Sequence, residues 1–443
     1  MQQLAEGELI RTANGRQGRI EGLLGSGGQG AVYKVALEGQ HFALKWYHDH
    51  YIAIDTGLRT RLERSTRRGA PTRDFLWPMD LVSIPGHSSF GYLMLLRQPS
   101  FRPMNDLIAP PPRRVELSLE ARLRLCSQIA SAFLKLHASG FCYQDINFGN
   151  FFLDEDKAQV LICDNDNVNI DGADASIYGT RKFMAPEIVR REKLPDSRTD
   201  LFSMSVLFFY ILFCWHPLDG ARENAISVLT PKDEMRLYGT EPLFIFDPED
   251  QSNGPVKGYH DWQYARWLGL GEKLRELFVR AFSTGLSRPD RRVMETEWKA
   301  AFDAAIQADF LCRECGFELL AEKAGDSLRV PGTCPSCSSP VSGSIFLMAD
   351  SAPVSLRPFR ELGRGFTRLA SERDPVVARV EAHPRKPEII GLKNLGEEDW
   401  QAAPVGGSVY RVPPGKAVRI DHGTSIVSAD GTATMISVEE AAA

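Results

Sequence analysis

Apolar and polar residues alternate along the first hundred positions with the two-residue period of β-strands. Residues 20–46 predict strand, glycine-rich turn, strand, turn and strand, and further strands are predicted over 75–84 and 90–96. One helix is predicted between them, over 56–67. The N-terminal region, residues 1–98, is therefore expected to be a small lobe built on one β-sheet.

The pattern then changes to the 3.6-residue period of amphipathic helices. A long helix is predicted from Ser118 until Gly140 ends it, and helical patterns dominate residues 197–308. The longest apolar run, Met204 to Trp215, is shorter than the roughly 20 residues that span a bilayer, so it predicts a buried core helix. Residues 99–308 should form a helical lobe, and the fold class is α+β.

The C-terminal region differs again in character. Residues 309–348 carry two Cys-x-x-Cys pairs, and residues 352–443 are strand-like with frequent glycine and proline turns, as in a β-sandwich. A chain of 443 residues is too long for one core. We therefore expect three domains, over 1–308, 309–348 and 352–443.

Charge and composition exclude several classes of protein. The net charge is −5, so no basic field favours nucleic acid. The N-terminal segment MQQLAEGELIR has no apolar core of a secretory signal. Of eight cysteines, four stand singly, which is typical of a reducing compartment and not of a disulfide framework. We expect a cytoplasmic protein that does not associate with a membrane.

The two Cys-x-x-Cys pairs have the spacing of a zinc ribbon. Eighteen residues separate them, and two tight turns would each direct two thiolates at one tetrahedral ion. The expected Zn²⁺ ligands are Cys312, Cys315, Cys334 and Cys337. Four protein ligands leave no open position, so the zinc is predicted to be structural. The module has few basic residues and no interleaved aromatic ones, which makes nucleic-acid binding an unfavoured alternative.

Residues suited to phosphate chemistry occur in a fixed order. The turn GSGGQGAV lies between two strands, where glycines let backbone amides approach phosphates. Such a turn also fits an ordinary hairpin, and a dinucleotide-binding version would need a helix next, whereas AVYKVAL continues as a strand. FALK then places Lys45 in an apolar strand. Asp145 and Asn150 follow in YQDINFGN, and Asp164 follows the strand LIC.

With GTRKFMAPE and TDLFSMSVL farther along, this order resembles the signature of eukaryotic-like serine/threonine protein kinases over residues 20–308. The resemblance implies a bilobal protein kinase fold. It also implies transfer of the γ-phosphate of ATP to serine or threonine of protein substrates, with Mg²⁺. The alternatives are a pseudokinase scaffold that binds ATP without transferring phosphate and a small-molecule kinase.

The resemblance assigns a role to each matching residue. Lys45 would hold the α- and β-phosphates, paired with Glu63, the only acid on the predicted 56–67 helix. Asp145 would accept the proton of the substrate hydroxyl, while Asn150 and Asp164 would hold Mg²⁺. The residues expected around the nucleotide are Gly25, Ser26, Gly27, Gly28, Gly30, Val32, Ala43, Phe152 and the gatekeeper Met94, with Leu95 as the alternative gatekeeper.

Three further residues match supporting positions of the family. Glu187 in APE would pair with Arg292, and Asp200 would hold the backbone of the catalytic loop. Small-molecule kinases of the aminoglycoside or choline type generally lack these three features, which disfavours that alternative.

The sequence also departs from the family pattern. Asn147 replaces the lysine two residues after Asp145, and the metal-binding motif reads Asp-Asn-Asp from Asp164. Polar Asn165 and Arg67 at positions that the family packs with apolar groups predict a hydrogen-bonded substitute for that contact.

The activation loop should also behave differently. Gln144 replaces the arginine that pairs with a phosphorylated loop in many kinases. We therefore expect activity that does not need phosphorylation of Ser176, Tyr178 or Thr180.

The C-terminal run from IIGLKNLGEEDWQA to PPGKAVRIDHGTSIV resembles a forkhead-associated domain, which reads phosphothreonine. Gly363 and Arg364 match that family's phosphate-contacting pair, but DPVVARV lacks its Ser-x-x-His, which favours a partner-docking sandwich instead. The whole architecture resembles bacterial kinases of tellurite-resistance-like systems. That resemblance implies a von Willebrand A-type protein and a type-2C phosphatase as partners.

Overall fold

The computed structural model describes residues 3–172, 178–325, 327–348, 352–366, 369–370, 374–383, 385–428 and 431–438. The chain forms two compact units. The first comprises Met1–Leu117, Leu125–Gly254 and Phe278–Lys299, and the second comprises Ser118–Arg124, Pro255–Leu277 and Ala300–Ala443. The division expected from the sequence placed a boundary at residue 308, whereas three segments before that residue group with the C-terminal strands.

The N-terminal part of the first unit is a closed antiparallel barrel whose strand order is β1-β2-β3-β4-β6-β5. Its strands are β1 (Leu9–Thr12), β2 (Gln17–Ser26), β3 (Gly30–Leu37), β4 (Gln40–Tyr47), β5 (Asp80–Ser83) and β6 (Gly91–Leu95). Because side chains alternate across a strand, Tyr33, Val35 and Leu37 of β3 enter one core with Leu44 of β4. The predicted β-rich lobe is confirmed.

The first unit also contains five short strands, in a three-stranded sheet and a two-stranded sheet. They are β7 (Phe101–Pro103), β8 (Phe141–Cys142), β9 (Phe151–Asp154), β10 (Gln159–Ile162) and β11 (Asn169–Ile170). β9 lies between β10 and β7, and β8 pairs with β11. These strands hold both ends of the segment that carries Asp145, Asn150 and Asp164.

Helices make up most of the remaining regular structure before residue 309. They are α1 (Asp49–Ile54), α2 (Leu58–Arg68), α3 (Leu119–Ala138), α4 (Pro186–Val189), α5 (Ser197–Phe213), α6 (Ala221–Asn224), α7 (Pro231–Met235), α8 (Asp261–Gly269), α9 (Glu272–Phe282), α10 (Thr284–Ser287) and α11 (Glu295–Ala308). A sheet lobe followed by helices is the bilobal arrangement expected from the sequence.

Helix α5 is the buried helix predicted from the long apolar run. It begins with a capping box, in which Asp196 accepts from the backbone of Thr199 and the Thr199 hydroxyl group closes the reciprocal bond. Nearly all of its residues are buried, and Phe209 stacks on Phe213 with ring centroids 4.1 Å apart. Among the described residues, no helix combines the length and apolar character needed to cross a membrane.

The second unit contains the C-terminal strands. They are β12 (Asp309–Leu311), β13 (Glu318–Leu320), β14 (Glu322–Ala324), β15 (Ser327–Arg329), β16 (Ile345–Met348), β17 (Pro353–Ser355), β18 (Glu361–Leu362), β19 (Ala378–His383), β20 (Lys386–Asn394), β21 (Trp400–Ala403), β22 (Tyr410–Val412), β23 (Ala417–Arg419), β24 (Ser425–Val427) and β25 (Ala433–Val438). After two hairpins, one antiparallel sheet runs β17-β16-β25-β24-β21-β22 and another runs β18-β19-β20-β23.

Candidate functional site

Lys45 lies near the end of β4, opposite Val32 of β3 and Tyr92 of β6. Its side chain is buried, and the ammonium nitrogen Nζ donates to three oxygens. These are Asp166 Oδ2 at 2.8 Å, Gln29 Oε1 at 2.9 Å and Asp164 Oδ1 at 3.4 Å. Three acceptors match the three N–H donors of an ammonium group. Lys45 is therefore fully paired within the site.

Asp166 is the closest of these partners and is fully buried. The hydroxyl of Tyr47 also donates to Asp166 Oδ2, over 2.6 Å. Burial alone would raise the pKa of Asp166, but the charge of Lys45 and the hydrogen bonds from Lys45 and Tyr47 hold that pKa below its ordinary value. Asp166 is thus an ionised carboxylate inside the site.

The predicted pairing of Lys45 with Glu63 is wrong. Helix α2 buries Leu58, Arg61, Leu62 and Ser65, the one-face spacing of a helix, and position 63 falls outside that stripe. Glu63 instead lines a separate cavity of about 500 Å³ with residues that include Arg59 and Asp80.

The one charged residue on the inward face of α2 is basic. Arg61 forms a buried ion pair with Asp55, in which Arg61 Nη1 donates to Asp55 Oδ1 over 2.9 Å. Arg67, expected to join Asn165 in a polar contact, is exposed at the end of the same helix.

The glycine-rich turn joins β2 to β3. Gly27 donates its backbone N–H to the carbonyl of Gly30 over 2.8 Å, which closes the turn. A side chain at Gly30 would place its Cβ only 2.2 Å from the Trp46 carbonyl oxygen, so the close approach of β3 and β4 requires glycine there. Nothing lies within 4 Å of a Cβ built at Gly25, Gly27 or Gly28. The turn therefore has open space above it, as a phosphate-covering loop needs.

The catalytic-loop residues converge on Asp145. Asn150 donates to the Asp145 carbonyl over 2.8 Å, and its Nδ2 is 3.5 Å from Asp145 Oδ2. Asn147 donates to the same carbonyl over 3.1 Å while its Oδ1 accepts from the Gly149 backbone over 2.8 Å. Asn147 therefore holds the backbone of the loop through two hydrogen bonds and, unlike lysine, carries no charge. The Asp145 carboxylate remains half-exposed.

The backbone of this loop is fixed from α5. Asp200 accepts the backbone N–H groups of Tyr143, at 2.5 Å, and Gln144, at 3.0 Å, as expected from the sequence. His137 contacts Asp200 Oδ2 at 3.1 Å and hydrogen-bonds Glu295 through its other ring nitrogen. Burial would lower the pKa of His137, but the hydrogen bonds and charges of Asp200 and Glu295 raise it to about 9.

Asp164 and Asn165 turn the chain after β10. Asp164 adopts the left-handed conformation, with φ 50°, which aspartate tolerates better than most residues. Asn165 is fully buried and donates to the carbonyls of Leu76, at 2.9 Å, and Ile162, at 3.0 Å. The hydrogen-bonded substitute predicted at Asn165 is confirmed, although its partners are backbone carbonyls and not Arg67.

Three of the expected adenine-binding residues, Val32, Ala43 and Met94, lie on barrel strands. Ala43 and Met94 are opposite each other on β4 and β6, within an apolar cluster against which Val32 packs. Leu95 is 51% exposed whereas Met94 is buried, which favours Met94 over Leu95 as the gatekeeper. Phe152 of β9 is half-buried, and the guanidinium of Arg97 lies over its ring at 4.5 Å from the centroid.

Glu187 and Arg292 form the predicted pair. Two parallel hydrogen bonds of 2.8 Å join the carboxylate to the guanidinium, and both residues are buried. Arg292 also donates to the carbonyls of Arg198, at 2.9 Å, and Gly285, at 3.1 Å. This arrangement ties the end of the activation segment to the helical lobe. The predicted phosphate acceptor Ser176 lies outside the described residues.

The second unit brings the four ribbon cysteines together. Their sulfur atoms all lie within 4.8 Å of one another. Cys312 and Cys337 are 3.8 Å apart and Cys315 and Cys334 are 3.7 Å apart, sulfur to sulfur. Zinc–sulfur bonds of about 2.3 Å in a tetrahedron place sulfurs about 3.8 Å apart, so the cluster has the size of a zinc site.

Several residues of the site were not identified from the sequence. Gln29 was not singled out within the glycine-rich turn, and Tyr47 was not singled out after FALKW. Asp166 was identified as a second acid near the expected metal site, but no pattern in the sequence assigns it to Lys45. Arg97 follows the strand that carries Met94, and nothing in the sequence predicted its contact with Phe152.

Comparison with known proteins agrees with this geometry. A family model described as "Protein kinase domain" matches residues 19–242. The chain is similar to the serine/threonine-protein kinase SCH9 of Candida albicans, 24% identical over 277 residues that cover 59% of this chain and 32% of that kinase. It is also similar to the serine/threonine-protein kinase pkn2 of Myxococcus xanthus, 26% identical over 44% of this chain and 24% of that kinase.

A third relative is the dual serine/threonine and tyrosine protein kinase of Xenopus tropicalis, 30% identical over 52% of this chain and 25% of that kinase. The chain thus spans about a quarter to a third of the length of these relatives. The family match extends from within β2 to the residues just after α7.

Proposed function

We propose, because the chain belongs to the protein kinase family, that it transfers the γ-phosphate of ATP to serine or threonine residues of protein substrates. The observation that carries this proposal is the convergence of Lys45, Asp145, Asn150 and Asp164 beneath an open glycine-rich turn. Each of the four has the chemical type that phosphoryl transfer requires at its place.

In the proposed reaction, the oxygen of the substrate hydroxyl attacks the γ-phosphorus as the bond from that phosphorus to the leaving ADP oxygen breaks. Asp145 accepts the hydroxyl proton, and its half-exposed carboxylate is open to a substrate. Lys45 would bind the α- and β-phosphates. The N–H groups of Gly25 to Gly28 would cover them.

Asp164 and Asn150 would hold Mg²⁺. Their donor set, a carboxylate and an amide oxygen, is the hard oxygen set that Mg²⁺ prefers. Asn150 uses only its amide nitrogen on Asp145, which leaves its oxygen for a metal. When bound, the ion neutralises charge on the phosphates. Asn147 supplies no positive charge to the transferred phosphate. Lys45 and the bound Mg²⁺ would therefore provide more of the stabilisation of the phosphate charge.

A protein substrate is favoured over a small molecule by the segment that follows the loop. Glu187 is fixed by Arg292, and Ser203 donates to the carbonyl of Phe183 over 2.6 Å. Lys182 is paired with Asp219 at 2.7 Å. A segment tied down at this many points can present an extended peptide to Asp145.

The test uses the full chain, Mg²⁺, radiolabelled ATP and a generic protein substrate such as casein, followed by identification of the labelled amino acids. Phosphoserine or phosphothreonine should form with the parent protein and not with Asp145→Asn. The Asp145→Asn variant should still bind ATP, because its side chain keeps the same size. ATP binding without phosphate transfer in the parent protein would support the pseudokinase alternative instead.

We also propose that the cysteine cluster holds one structural Zn²⁺, with Cys312, Cys315, Cys334 and Cys337 as ligands. The sulfur–sulfur distances of 3.7 and 3.8 Å support this assignment. The corresponding domain division is a kinase domain over 1–308, a zinc ribbon over 309–348 and a forkhead-associated-like β-sandwich over 352–443.

For the C-terminal strands we favour partner docking over phosphothreonine recognition. Arg364 lines a cavity of about 660 Å³ together with Glu397 and Glu398, and two carboxylates there oppose a phosphate. A von Willebrand A-type protein and a type-2C phosphatase are the partners suggested by the architecture. Calorimetry on the full chain should detect no preference for phosphothreonine over threonine peptides. Phosphate-dependent micromolar binding that Arg364→Ala abolishes would restore the reader function. We propose a cytoplasmic setting for these interactions.

A further inference from the structure

We propose that Asp166, and not an acid of helix α2, is the residue that positions Lys45 for phosphate binding. This inference deepens the proposed kinase function and rests on it for the identity of the ligand. Asp166 would be a positioning residue, since it acts through Lys45.

The contact between the two residues is direct and enclosed. Asp166 Oδ2 lies 2.8 Å from Lys45 Nζ, and the exposed fraction of the two side chains is 0% and 6%. Tyr47 donates to the same Oδ2 over 2.6 Å. A buried carboxylate that accepts from an ammonium and a phenol is held in one rotamer, so it can fix the ammonium in turn.

Helix α2 offers no competing acid. Its inward face carries Leu58, Leu62 and Ser65 with the cation Arg61, whose charge is taken by Asp55. Glu63 lies on the face that lines the cavity with Arg59. The ion pair is therefore built from β4 and the turn Asn165–Asn167 alone.

The other two partners of Lys45 differ from Asp166 in ways that matter for ligand binding. Gln29 is neutral, half-buried and part of the glycine-rich turn, and its amide nitrogen is 3.1 Å from the Tyr51 hydroxyl. The Asp164 carboxylate is farther from Nζ, at 3.4 Å, and is 43% exposed. A phosphate oxygen can take the place of the Gln29 amide oxygen on Lys45 while the buried Asp166 stays.

The experiment is a double-mutant cycle on the full chain. The variants are Lys45→Met, Asp166→Asn, the double variant, Asp166→Glu, and Glu63→Gln as the matched control. Dissociation constants for Mg²⁺-ADP are measured by calorimetry, and kcat and KM for ATP are measured with casein. Asp166→Asn keeps the side-chain shape and removes the charge, so it should raise the ADP dissociation constant and the KM for ATP at least tenfold.

Three further results are expected. Adding Asp166→Asn to Lys45→Met should change ADP binding less than twofold, because Asp166 acts through Lys45. Asp166→Glu should recover part of the affinity. Glu63→Gln should leave both constants within twofold of the parent protein. Circular dichroism checks that each variant is folded. If Asp166→Asn does not fold, Tyr47→Phe, which removes only the 2.6 Å hydrogen bond, should raise KM about threefold.

Additive effects of Lys45→Met and Asp166→Asn, or a large loss in Glu63→Gln with none in Asp166→Asn, would overturn the assignment. These outcomes are separable from failure of the proposed function. A parent protein that binds Mg²⁺-ADP with a non-additive cycle but transfers no phosphate keeps the Asp166 assignment and loses the kinase activity. A parent protein that transfers phosphate but gives an additive cycle keeps the kinase activity and loses the Asp166 assignment.

Discussion

The hydroxyl of Thr180 donates a 3.0 Å hydrogen bond to Oδ1 of Asp145. Gly179, with φ 92°, brings the chain to this point, and a Cβ there would lie 2.8 Å from the Gln144 carbonyl oxygen. The activation segment thus contacts the proposed base, Asp145, through the Thr180 hydroxyl. Thr180 is exposed, so a substrate can approach the same carboxylate.

Replacing Thr180 with valine should lower kcat while leaving the KM for ATP nearly unchanged. The substitution removes a hydrogen bond to a carboxylate, which is worth about 1.5–3 kcal/mol and corresponds to roughly 10- to 160-fold in rate. Steady-state kinetics with casein measure the effect. Thr180→Ser, which keeps the hydroxyl, is the control and should retain most of the activity. Equal losses in both variants would show that the methyl group and not the hydrogen bond matters.

Activity should not depend on phosphorylation of Tyr178. Gln144, at the position of the usual phosphate-binding arginine, is buried and turns its amide toward Cys142 Sγ, 3.5 Å away. It carries no charge to pair with a phosphate on the loop. Tyr178→Phe should therefore change kcat less than threefold in protein purified without kinase partners. A large loss in Tyr178→Phe that Tyr178→Glu restores would contradict this prediction.

Breaking the Glu187–Arg292 pair should be strongly destabilising. Both side chains are buried, and removing one partner leaves the other charge uncompensated, which costs about 3–5 kcal/mol. Glu187→Gln should lower the midpoint of thermal unfolding of the helical lobe by several degrees. Arg292→Lys should do the same, because lysine cannot donate two parallel hydrogen bonds. Arg291→Lys, at the neighbouring exposed position, serves as the control and should leave the midpoint unchanged.

The stability of the first unit should fall between neutral and alkaline pH through His137. Its pKa is raised to about 9 in the folded protein, against about 6.5 in an unfolded chain. A raised pKa contributes stability below pH 6.5 that is lost as pH rises through 9, on the order of 3 kcal/mol at most.

Thermal unfolding at pH 6.5 and pH 9.5 measures this loss, with His137→Gln as the comparison. The parent protein should lose more stability than the variant over this interval. Because His137→Gln removes only the imidazole that contacts Asp200 and Glu295, the difference between the two proteins isolates that ring. An equal loss in both proteins would remove His137 as the cause.

Protein purified without chelator should contain one zinc per chain. Structural zinc contributes on the order of 10 kcal/mol to small modules, so its removal should unfold the surrounding strands. Hydrogen exchange should then increase for the amides of Cys312, Leu319, Cys334 and Val341, which share one core cluster with Phe310 and Phe346, and not for those of α5. Elemental analysis checks the stoichiometry, and Cys337→Ser provides the metal-poor variant. Full protection of these four amides after zinc removal would contradict a structural role.

The sequence predicted the parts of the site that depend on motif spacing. The order of Asp145, Asn150 and Asp164 and the spacing of the four cysteines are local, and their geometry follows from short turns. The buried helix α5 was predictable because an apolar run of its length can be satisfied only in a core.

What the sequence did not predict is which acid meets Lys45. Glu63 was the only acid on its helix, but the inward face of α2 is set by packing of Leu58 and Leu62 against the barrel. Position 63 then lies outside that buried face and lines a different cavity. Asp166 meets Lys45 because a left-handed residue at Asp164 starts a tight turn, and that backbone conformation is not encoded in a residue pattern. Such contacts arise between elements distant in sequence.

The buried ion pair also determines which inhibitors could switch this site off. Compounds that act by displacing the helix beside the active site would leave Lys45 and Asp166 joined, because neither residue belongs to α2. Compounds that reorganise the turn Asn165–Asn167 would break the pair directly. Selectivity over kinases that rely on a helix-borne acid should therefore come from chemistry directed at that turn. Resistance substitutions should appear at Tyr47, which donates to the same Asp166 oxygen as Lys45.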